Sequence, residues 1–458
     1  MDLFAQTDRE VAVDLLHDLT AIYTNEPIVD ELLDSLDWPK SNNRLLDPSV
    51  GAGVFICRAL ERLLLAQPDI NDARLVHVLQ GWEIHPFAVS QARAQIARML
   101  CRRGRTLDHA TQLAQLIVHE GDFLLDAGAG EKFSAVATNP PYLRMANVPE
   151  IIRADYLDAM PDYAAGDMLH SFLDRSARML TPDGEIAMIT SDRVWINETA
   201  GPLRAAIGVT LGLAHIERVD AGSAFHRPKQ RKQGTPPRVH PVLVVLKPKG
   251  LDGVRELTAE PIYPGEEELE PYNGPTLGDV ARVRVAPWLG TPGIFIVDQA
   301  QAAGFPAHEL VPAVDTDDIA ADDTLKAPRR FALRTQLEHE PSAAVLAHLD
   351  ANLHRMCERG RRATRWVPPE SFESWDLTTE YLIVPRIARR LRPVRVPAGV
   401  LATNHNLAVI SAGSMSLDEI AAALRSERAQ EWIRVKAPRV DGGFYSLNPR
   451  FLCRLPIA

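Results

Sequence analysis

Four consecutive residues, Asn139, Pro140, Pro141 and Tyr142, carry groups that can hold a planar amino-bearing ring. They follow the apolar run 133–138, which predicts a buried strand ending in a sharp turn. The prolines fix the turn and keep Asn139 extended, so its amide and the Pro140 carbonyl should point outward at the carboxyl end of the sheet. These groups can then bond both hydrogens of an exocyclic amino group, and Tyr142 can stack on the ring. Taken alone, the motif fits a proline-rich turn that caps a strand equally well.

A glycine-rich segment stands between the first predicted strand and the first predicted helix. Asp47 begins it, and Gly51 and Gly53 lie within it. Glycines let the backbone approach a ligand closely, and a helix N-terminus adds N–H donors. The spacing is neither that of dinucleotide enzymes nor that of a phosphate-binding loop. The preceding acid favours a ligand with a positively charged amino group, although mononucleotide, dinucleotide and S-adenosylmethionine sites all use such loops.

Two acids follow the next two predicted strands. Glu83 could accept hydrogen bonds from both hydroxyls of a ribose. Asp122 could accept one from an adenine amino group, with Phe123 against the ring. Each acid alone is more simply a solvated side chain at a strand end. Together with the glycine loop and the Asn139 motif, they mark the ends of four successive strands, and this indicates one binding site.

The elements that must position these residues alternate between strand and helix over 44–247. Alternation of this kind predicts an α/β fold, a doubly wound, mainly parallel sheet with helices on both faces. Two further apolar runs predict an antiparallel pair that closes the sheet. Predicted strands are Leu45–Leu46, Leu75–Leu79, Leu116–Val118, Phe133–Ala137, Ile186–Ile189, His215–Val219 and Val242–Leu246; predicted helices are Val54–Leu65, Val89–Leu100, Leu169–Leu180 and Leu417–Arg425.

The composition of the 458-residue chain is that of a soluble globular protein, with 46% hydrophobic residues. No apolar stretch approaches the roughly 20 residues of a membrane span, and the polar first ten residues do not resemble a signal peptide. The four cysteines are scattered without a CxxC pair, which predicts neither a metal site nor a disulfide framework. A cytoplasmic location is therefore expected.

Charge is distributed unevenly around a net value of −10. Residues 252–325 carry 15 acidic against 3 basic side chains, whereas residues 326–400 carry 14 basic against 8 acidic ones. Clustered charge acts locally because salt screens it within about 10 Å, so the net charge does not exclude a nucleic-acid partner. We predict a catalytic domain over 1–250, an acidic linker or spacer over 251–325 and an α+β recognition domain over 326–458.

At this point the chain resembles the adenine-specific (N6) DNA methyltransferases of restriction–modification type, in which cofactor motifs come first and a target-recognition domain comes last. Thr24 lies in a segment similar to the family's N-terminal motif, although Asn25 stands where the family usually has proline. The segments 166–170 and 184–195 resemble the helix and strand that follow the catalytic motif, and 441–456 resembles the end of the recognition domain.

The resemblance implies S-adenosylmethionine as cofactor, a Rossmann-like catalytic domain and a metal-free transfer to N6 of an adenine that is flipped out of duplex DNA. It assigns catalysis to the 139–142 motif and places Phe225 against the flipped base, beside a basic loop. Implied catalytic residues are Asn139, Pro140 and Tyr142; implied cofactor-binding residues are Thr24, Asp47, Gly51, Gly53, Glu83, Asp122, Phe123 and Pro141; implied substrate-binding residues are Phe225, Arg227, Lys229, Arg386, Arg389 and Arg390.

Double-stranded DNA is the implied partner, with a separate restriction endonuclease as a further one and a bacterial or archaeal cytoplasm as the location. Similar NPPY motifs occur in enzymes that methylate RNA or protein glutamine, so these substrates remain alternatives. A further alternative is a methyltransferase-like subunit of a larger DNA-binding complex. The C-terminal arginines favour DNA because they can neutralise phosphates and contact guanine edges.

Overall fold

An eight-stranded mixed sheet forms the centre of the first of two units, Met1–Pro264 and Gly265–Ala458. The computed structural model describes residues 3–40, 43–128, 130–226, 240–440 and 442–457. In the first unit the strands are β1 (Tyr23–Thr24), β2 (Leu45–Asp47), β3 (Leu79–Glu83), β4 (Val118–Glu120), β5 (Phe133–Thr138), β6 (Leu180–Ser191), β7 (Leu211–Arg218), β8 (Phe225–His226), β9 (Pro241–Pro248) and β10 (Arg255–Glu256).

Strand order in this sheet is β10-β7-β9-β6-β5-β2-β3-β4. Strands β4, β3, β2, β5 and β6 are parallel neighbours, and β9, β7 and β10 add antiparallel pairs at the other edge. The predicted antiparallel closing pair is therefore present as β7 and β9. Outside the sheet, β1 pairs with β8.

Helices cover both faces of the sheet. Residues of β6 alternate between two core clusters: Ala187 and Ile189 belong to one, Ile186 and Met188 to the other. Alternation follows from the pleat, which points successive side chains to opposite faces, and it confirms the predicted doubly wound arrangement. The helices are α1 (Leu3–Thr20), α2 (Glu26–Asp34), α3 (Val54–Ala66), α4 (Asp72–Val78), α5 (Pro86–Arg102), α6 (Leu107–Ile117), α7 (Phe123–Asp126), α8 (Glu150–Ala159), α9 (Met168–Arg178), α10 (Arg193–Ile196), α11 (Gly201–Ile207) and α12 (Ala221–Ala224).

Two predicted strands begin later than expected. Most of Leu75–Leu79 lies in helix α4, and most of Leu116–Val118 lies in helix α6. In each case a buried helical turn runs directly into a buried strand, so the apolar run does not reveal where one ends and the other begins. The N-cap residues mark only where these helices begin: Asn71 accepts a hydrogen bond from the Arg74 N–H at 2.9 Å, and Thr106 caps α6.

The second unit is an irregular α+β domain with three small sheets, ordered β11-β19-β15-β17, β12-β14-β13-β18 and β16-β21-β20. Its strands are β11 (Ala281–Val285), β12 (Ile296–Asp298), β13 (Leu310–Val314), β14 (Arg330–Leu333), β15 (Tyr381–Pro385), β16 (Ile387–Ala388), β17 (Val394–Val396), β18 (Leu401–Ala402), β19 (Asn406–Ser411), β20 (Arg439–Val440) and β21 (Phe444–Ser446); its helices are α13 (Leu277–Val280), α14 (Gln299–Ala302), α15 (Ala343–Asn352), α16 (Leu417–Arg425), α17 (Glu427–Lys436) and α18 (Pro449–Leu452).

The boundary between the units differs from the predicted one near residue 250. Strand β10 pairs with β7 and keeps the chain in the first unit as far as Pro264. The acidic segment is not a free spacer in its second part, because β11, β12 and β13 pair with β19, β14 and β18 of the same unit. The predicted division into 251–325 and 326–458 therefore splits sheets that are continuous in the structure.

Several acids at the end of the acidic segment form ion pairs within the second unit. Asp323 accepts hydrogen bonds from Arg390 at 2.9 Å and from Arg392 at 2.5 Å. The fully buried Asp318 lies 3.4 Å from Arg330. The Asp323–Arg392 partners lie 69 residues apart in sequence, so some acids of the acidic segment are paired with arginines of the basic segment in three dimensions.

No helix in the described ranges is both long enough and apolar enough to cross a bilayer.

Candidate active site

A cavity with an empty volume of about 920 Å³ opens where β2, β3 and β5 end, side by side in the sheet. Parallel strands bring their carboxyl ends to one edge, so side chains that follow different strands meet there. Nine of the predicted site residues line the cavity: Thr24, Gly51, Glu83, Asp122, Phe123, Asn139, Pro140, Pro141 and Tyr142.

The glycine loop approaches the cavity because two of its residues adopt a left-handed backbone. Gly51 has φ 53° and Gly53 has φ 102°. A Cβ atom on Gly53 would lie 3.0 Å from the backbone of Ala92, and one on Gly51 would lie 3.2 Å from the Tyr23 ring. The Gly51 N–H donates to the Glu83 carboxylate at 2.8 Å, so the loop and the end of β3 form one wall.

Asp47 is fully buried directly before that loop, although it does not line the cavity. Its Oδ1 accepts hydrogen bonds from the Thr138 hydroxyl at 2.9 Å and from the Ser49 N–H at 3.2 Å. Its Oδ2 has no partner among the described residues. Burial raises the pKa of the Asp47 carboxyl to about 7 because it disfavours the charged form.

Thr24 presents a second buried oxygen without a partner in the described ranges. It lies in β1, opposite Phe225 of β8. The side-chain oxygen of the neighbouring Asn25 accepts a hydrogen bond from His226 Nδ1 at 2.9 Å, and the Asn25 backbone N–H donates to the Ala224 carbonyl at 2.9 Å. The asparagine thus fastens the β8 segment beside the cavity.

Asp122 and Glu83 present carboxylates whose oxygens are partly engaged by protein groups. Asp122 accepts hydrogen bonds from the Tyr156 hydroxyl at 2.9 Å and from the Leu124 N–H at 3.0 Å, and burial raises the pKa of its carboxyl to about 6. Glu83 also accepts the His85 N–H at 2.9 Å, and burial raises the pKa of its carboxyl. Both acids keep further lone pairs for a ligand.

The Asn139 motif is held by hydrogen bonds from several elements. The Ser49 hydroxyl donates to the Asn139 carbonyl at 2.8 Å, and the Asn139 side-chain NH₂ donates to the Ile22 carbonyl at 3.0 Å. The Tyr142 hydroxyl lies 2.5 Å from the Asn139 side-chain oxygen and 2.7 Å from the Ile189 carbonyl. Burial raises the pKa of Tyr142 well above its ordinary value, so the hydroxyl keeps its one proton, which can serve only one of the two acceptors at a time.

Phe225 is buried and lies near the motif, with its ring centroid 6.5 Å from that of Tyr142. It is not one of the cavity-lining residues. The basic residues predicted to follow it, Arg227 and Lys229, lie outside the described residues.

Several lining residues were missed by the sequence analysis. Tyr156 comes from α8 and binds Asp122, and Phe172 comes from α9 with its ring centroid 5.4 Å from that of Phe123. Trp82 directly precedes the predicted Glu83 and could have been inferred from its position at the end of β3. The other two have no local signal, because helix packing brings them to the cavity.

The predicted arginines of the second unit have three different environments. Arg390 is bonded to Asp323. Arg389 places its guanidinium 4.9 Å from the centroid of the Phe444 ring. The Nε of Arg386 is buried without a partner in the part of the chain that the structure describes. No group of three or more histidine, cysteine or acidic residues capable of holding a metal occurs within the described ranges.

Known proteins that resemble this chain are restriction–modification methyltransferases. Residues 78–219 match the family described as Eco57I restriction-modification methylase. The type II methyltransferase M.PaeR7I of Pseudomonas aeruginosa is 32% identical over 222 residues, which cover 45% of this chain and 38% of that protein. The type II methyltransferase M.XhoI of Xanthomonas vasicola is 24% identical over 95% of this chain and 90% of its own length.

Among solved structures, the type IIL restriction-modification enzyme MmeI in complex with DNA matches 95% of this chain and 66% of its own, with a TM-score of 0.58 at 14% identity. At that identity the likeness concerns the fold. The family match and the relatives confirm the predicted resemblance to restriction–modification methyltransferases, the predicted fold class and S-adenosylmethionine as the predicted cofactor.

Proposed function

From a methyltransferase fold that matches restriction–modification methylases over residues 78–219, we propose that this chain transfers a methyl group from S-adenosylmethionine to N6 of adenine at a defined site in duplex DNA. One observation carries the proposal. The same cavity brings the Asn139–Tyr142 motif together with the acceptors and the glycine loop that suit this cofactor. The aligned part of M.PaeR7I is little more than a third of that protein, so the activity is proposed from the site itself.

The residues at the cavity fit the parts of the cofactor. The unpartnered oxygen of Thr24, at the cavity, suits the ammonium end of its methionine portion, and the unpartnered oxygen of Asp47, buried directly before the glycine loop, would add negative charge beside it. Glu83 suits the ribose hydroxyls, and Asp122 with Phe123 suits the adenine. When bound, S-adenosylmethionine supplies a methyl group on a positively charged sulfur, ready for transfer to a nucleophile.

Asn139 and Pro140 activate the nucleophile in this proposal. The adenine amino nitrogen is a poor nucleophile because its lone pair is delocalised into the ring. Hydrogen bonds from its two N–H groups to the Asn139 side-chain oxygen and the Pro140 carbonyl favour a pyramidal nitrogen with an available lone pair, and correct placement supplies most of the acceleration.

Tyr142 must first release the Asn139 oxygen. The Ile189 carbonyl lies 2.7 Å from the same hydroxyl, so the Tyr142 proton can remain bonded there while Asn139 accepts from the substrate. The target adenine is buried in a duplex and must be rotated out at a cost of a few kcal/mol. We propose that the rings of Tyr142 and Phe225 compensate for the lost base stacking.

The second unit would provide target recognition. Arg386 and Arg389 are the stronger candidates for DNA contacts because Arg390 is bonded to Asp323, and Arg227 and Lys229 remain predicted contacts of the basic loop. The further partner is a separate restriction endonuclease, as expected of a chain whose relatives are named type II methyltransferases. A DNA substrate would place the protein in the bacterial or archaeal cytoplasm.

Modification-sensitive sequencing of plasmid DNA tests the proposal. We expect N6-methyladenine at one recurring motif in plasmid from cells that express the chain, and none in plasmid from the same host, lacking its own adenine methylation, with an empty vector. An unmodified plasmid from cells with abundant folded protein would contradict the proposal. RNA and protein from the same cells would then be assayed for methylation, because these are the alternative substrates.

Asp122 provides a pH-dependent test of the cofactor site. Its carboxyl has a pKa of about 6 because of burial, so protonation below that pH removes an acceptor from the proposed adenine contact. We expect cofactor affinity to fall as the pH is lowered through about 6. Titration calorimetry at pH 5 to 8 would measure it.

Asp122→Asn serves as the matched variant because its amide does not titrate. The ratio of wild-type to variant affinity should be about 10 or more at pH 8, as for a hydrogen bond to a charged group, and should approach one at pH 5. A ratio that is constant over this range would rule out the Asp122 carboxylate as a contact.

A further inference from the structure

A second cavity adjoins the catalytic motif. Its empty volume is about 700 Å³, and Tyr142 lines both this cavity and the cofactor cavity. Two arginines, Arg144 and Arg193, line the second cavity and neither lines the first. We name it the Arg144–Arg193 cavity. It lies beside the catalytic motif, and the proposed function assigns no role to it.

Both arginines follow the carboxyl ends of neighbouring parallel strands. Arg144 comes two residues after Tyr142, beyond β5, and backbone bonds fasten it to the loop before α9: Met168 N–H donates to the Leu143 carbonyl at 2.9 Å and Met145 N–H to the Gly166 carbonyl at 3.1 Å. Arg193 begins α10, directly beyond β6. Since β5 and β6 pair in parallel, the fold places both guanidinium groups at the edge where the site lies.

The positive charge of these arginines is only partly compensated. Both side chains are exposed, and neither guanidinium has a hydrogen bond or ion pair among the described residues. Asp167, which also lines the cavity, accepts the Leu169 N–H at 3.0 Å and attracts both guanidinium groups. Asp192 is paired with Arg218 at 3.0 Å and also attracts Arg193, so two acids are shared among three arginines. His170 also lines the cavity, and burial lowers its pKa, so it is largely neutral at pH 7.

We propose that the Arg144–Arg193 cavity binds a backbone phosphate of the DNA strand that carries the target adenine, next to the extruded nucleotide. The inference rests on the proposed function. A nucleotide held against Tyr142 brings its flanking phosphodiesters with it, so negative charge must lie just outside the base site. A guanidinium presents a planar fork of N–H donors that matches phosphate oxygens, and two of them with incomplete compensation suit a phosphodiester.

Arg144→Gln and Arg193→Gln test the inference in methyl transfer from radiolabelled S-adenosylmethionine to linearised plasmid DNA. We expect each variant to raise KM for DNA about tenfold and the double variant to raise it further, with the affinity for S-adenosylmethionine unchanged. Each lost phosphate contact should reduce the salt dependence of DNA binding, the slope of log K against log salt concentration, by about 0.9. Arg144→Lys and Arg193→Lys should keep most of that slope.

Arg98→Gln is the matched control because Arg98 is exposed on α5 and lines neither cavity. If the wild type methylates plasmid DNA and the double variant keeps the wild-type KM and salt slope, the inference is overturned and the proposed function stands. If the wild type neither binds nor methylates DNA, both are overturned. A loss of cofactor affinity in the double variant would also overturn the inference, since it would show damage to the cofactor cavity.

Discussion

Replacement of Asn139 by alanine is expected to lower kcat for methyl transfer about a hundredfold to a thousandfold, the usual effect of removing one hydrogen bond that is strongest in the transition state. The side-chain oxygen is the proposed acceptor for the amino group of the substrate. The cofactor should still bind, because the Gly51, Glu83 and Asp122 contacts come from other strands. Single-turnover kinetics and cofactor titration would separate the two effects.

Two further variants sharpen the Asn139 test. Asn139→Asp keeps an acceptor but loses the donor to the Ile22 carbonyl, so we expect activity between the wild type and the alanine variant. Asn43→Ala makes the same truncation as Asn139→Ala outside the cofactor cavity and should leave kcat unchanged. Near-normal kcat in Asn139→Ala would remove Asn139 from the mechanism.

The residues that lie at the strand ends could be predicted from the sequence, because a parallel sheet brings the carboxyl ends of its strands to the same edge. Once alternating strands and helices are recognised, Glu83, Asp122 and Asn139 must reach the same edge. The structure indeed places all three on one cavity. The prediction needed only the order of elements, and it tolerated errors of several residues in where β3 and β4 begin.

Features that depend on long-range packing were not predictable in the same way. Tyr156 reaches Asp122 because α8 packs over that part of the sheet, and no local pattern distinguishes it from an ordinary core tyrosine. From the sequence alone the acidic segment resembles a spacer, because its partners are distant in sequence. The Asp323–Arg392 pair joins positions 69 residues apart, and only the folded second unit reveals that acids of one segment pair with arginines of the other.

Asp47→Asn is expected to stabilise the ligand-free protein and to weaken cofactor binding. The pKa of the Asp47 carboxyl is raised from 3.8 to about 7 by burial, so the folded state binds its proton more tightly than the unfolded state does. The stabilising contribution of this protonation is fully present below about pH 3.8 and is lost as the pH rises through about 7. Above pH 7 the buried carboxylate therefore costs on the order of 4 kcal/mol at most, and a neutral amide avoids that cost.

Thermal unfolding and calorimetry at two pH values would measure both effects. At pH 8 we expect a higher Tm for Asp47→Asn than for the wild type, and a smaller difference at pH 5. The variant should bind S-adenosylmethionine about 10 to 100 times more weakly at pH 8, because the ammonium group loses a charged acceptor.

Asp108→Asn is the control for Asp47→Asn, since Asp108 is exposed in the first turn of α6, and it should change neither property. If Asp47→Asn were stabilised at pH 8 and still bound the cofactor as tightly as the wild type, the carboxylate would serve only to shape the glycine loop. A coupled gain in stability and loss of affinity would instead identify Asp47 as a group kept charged and buried for its ligand, because a carboxylate with an unpartnered oxygen is otherwise unfavourable in a protein core.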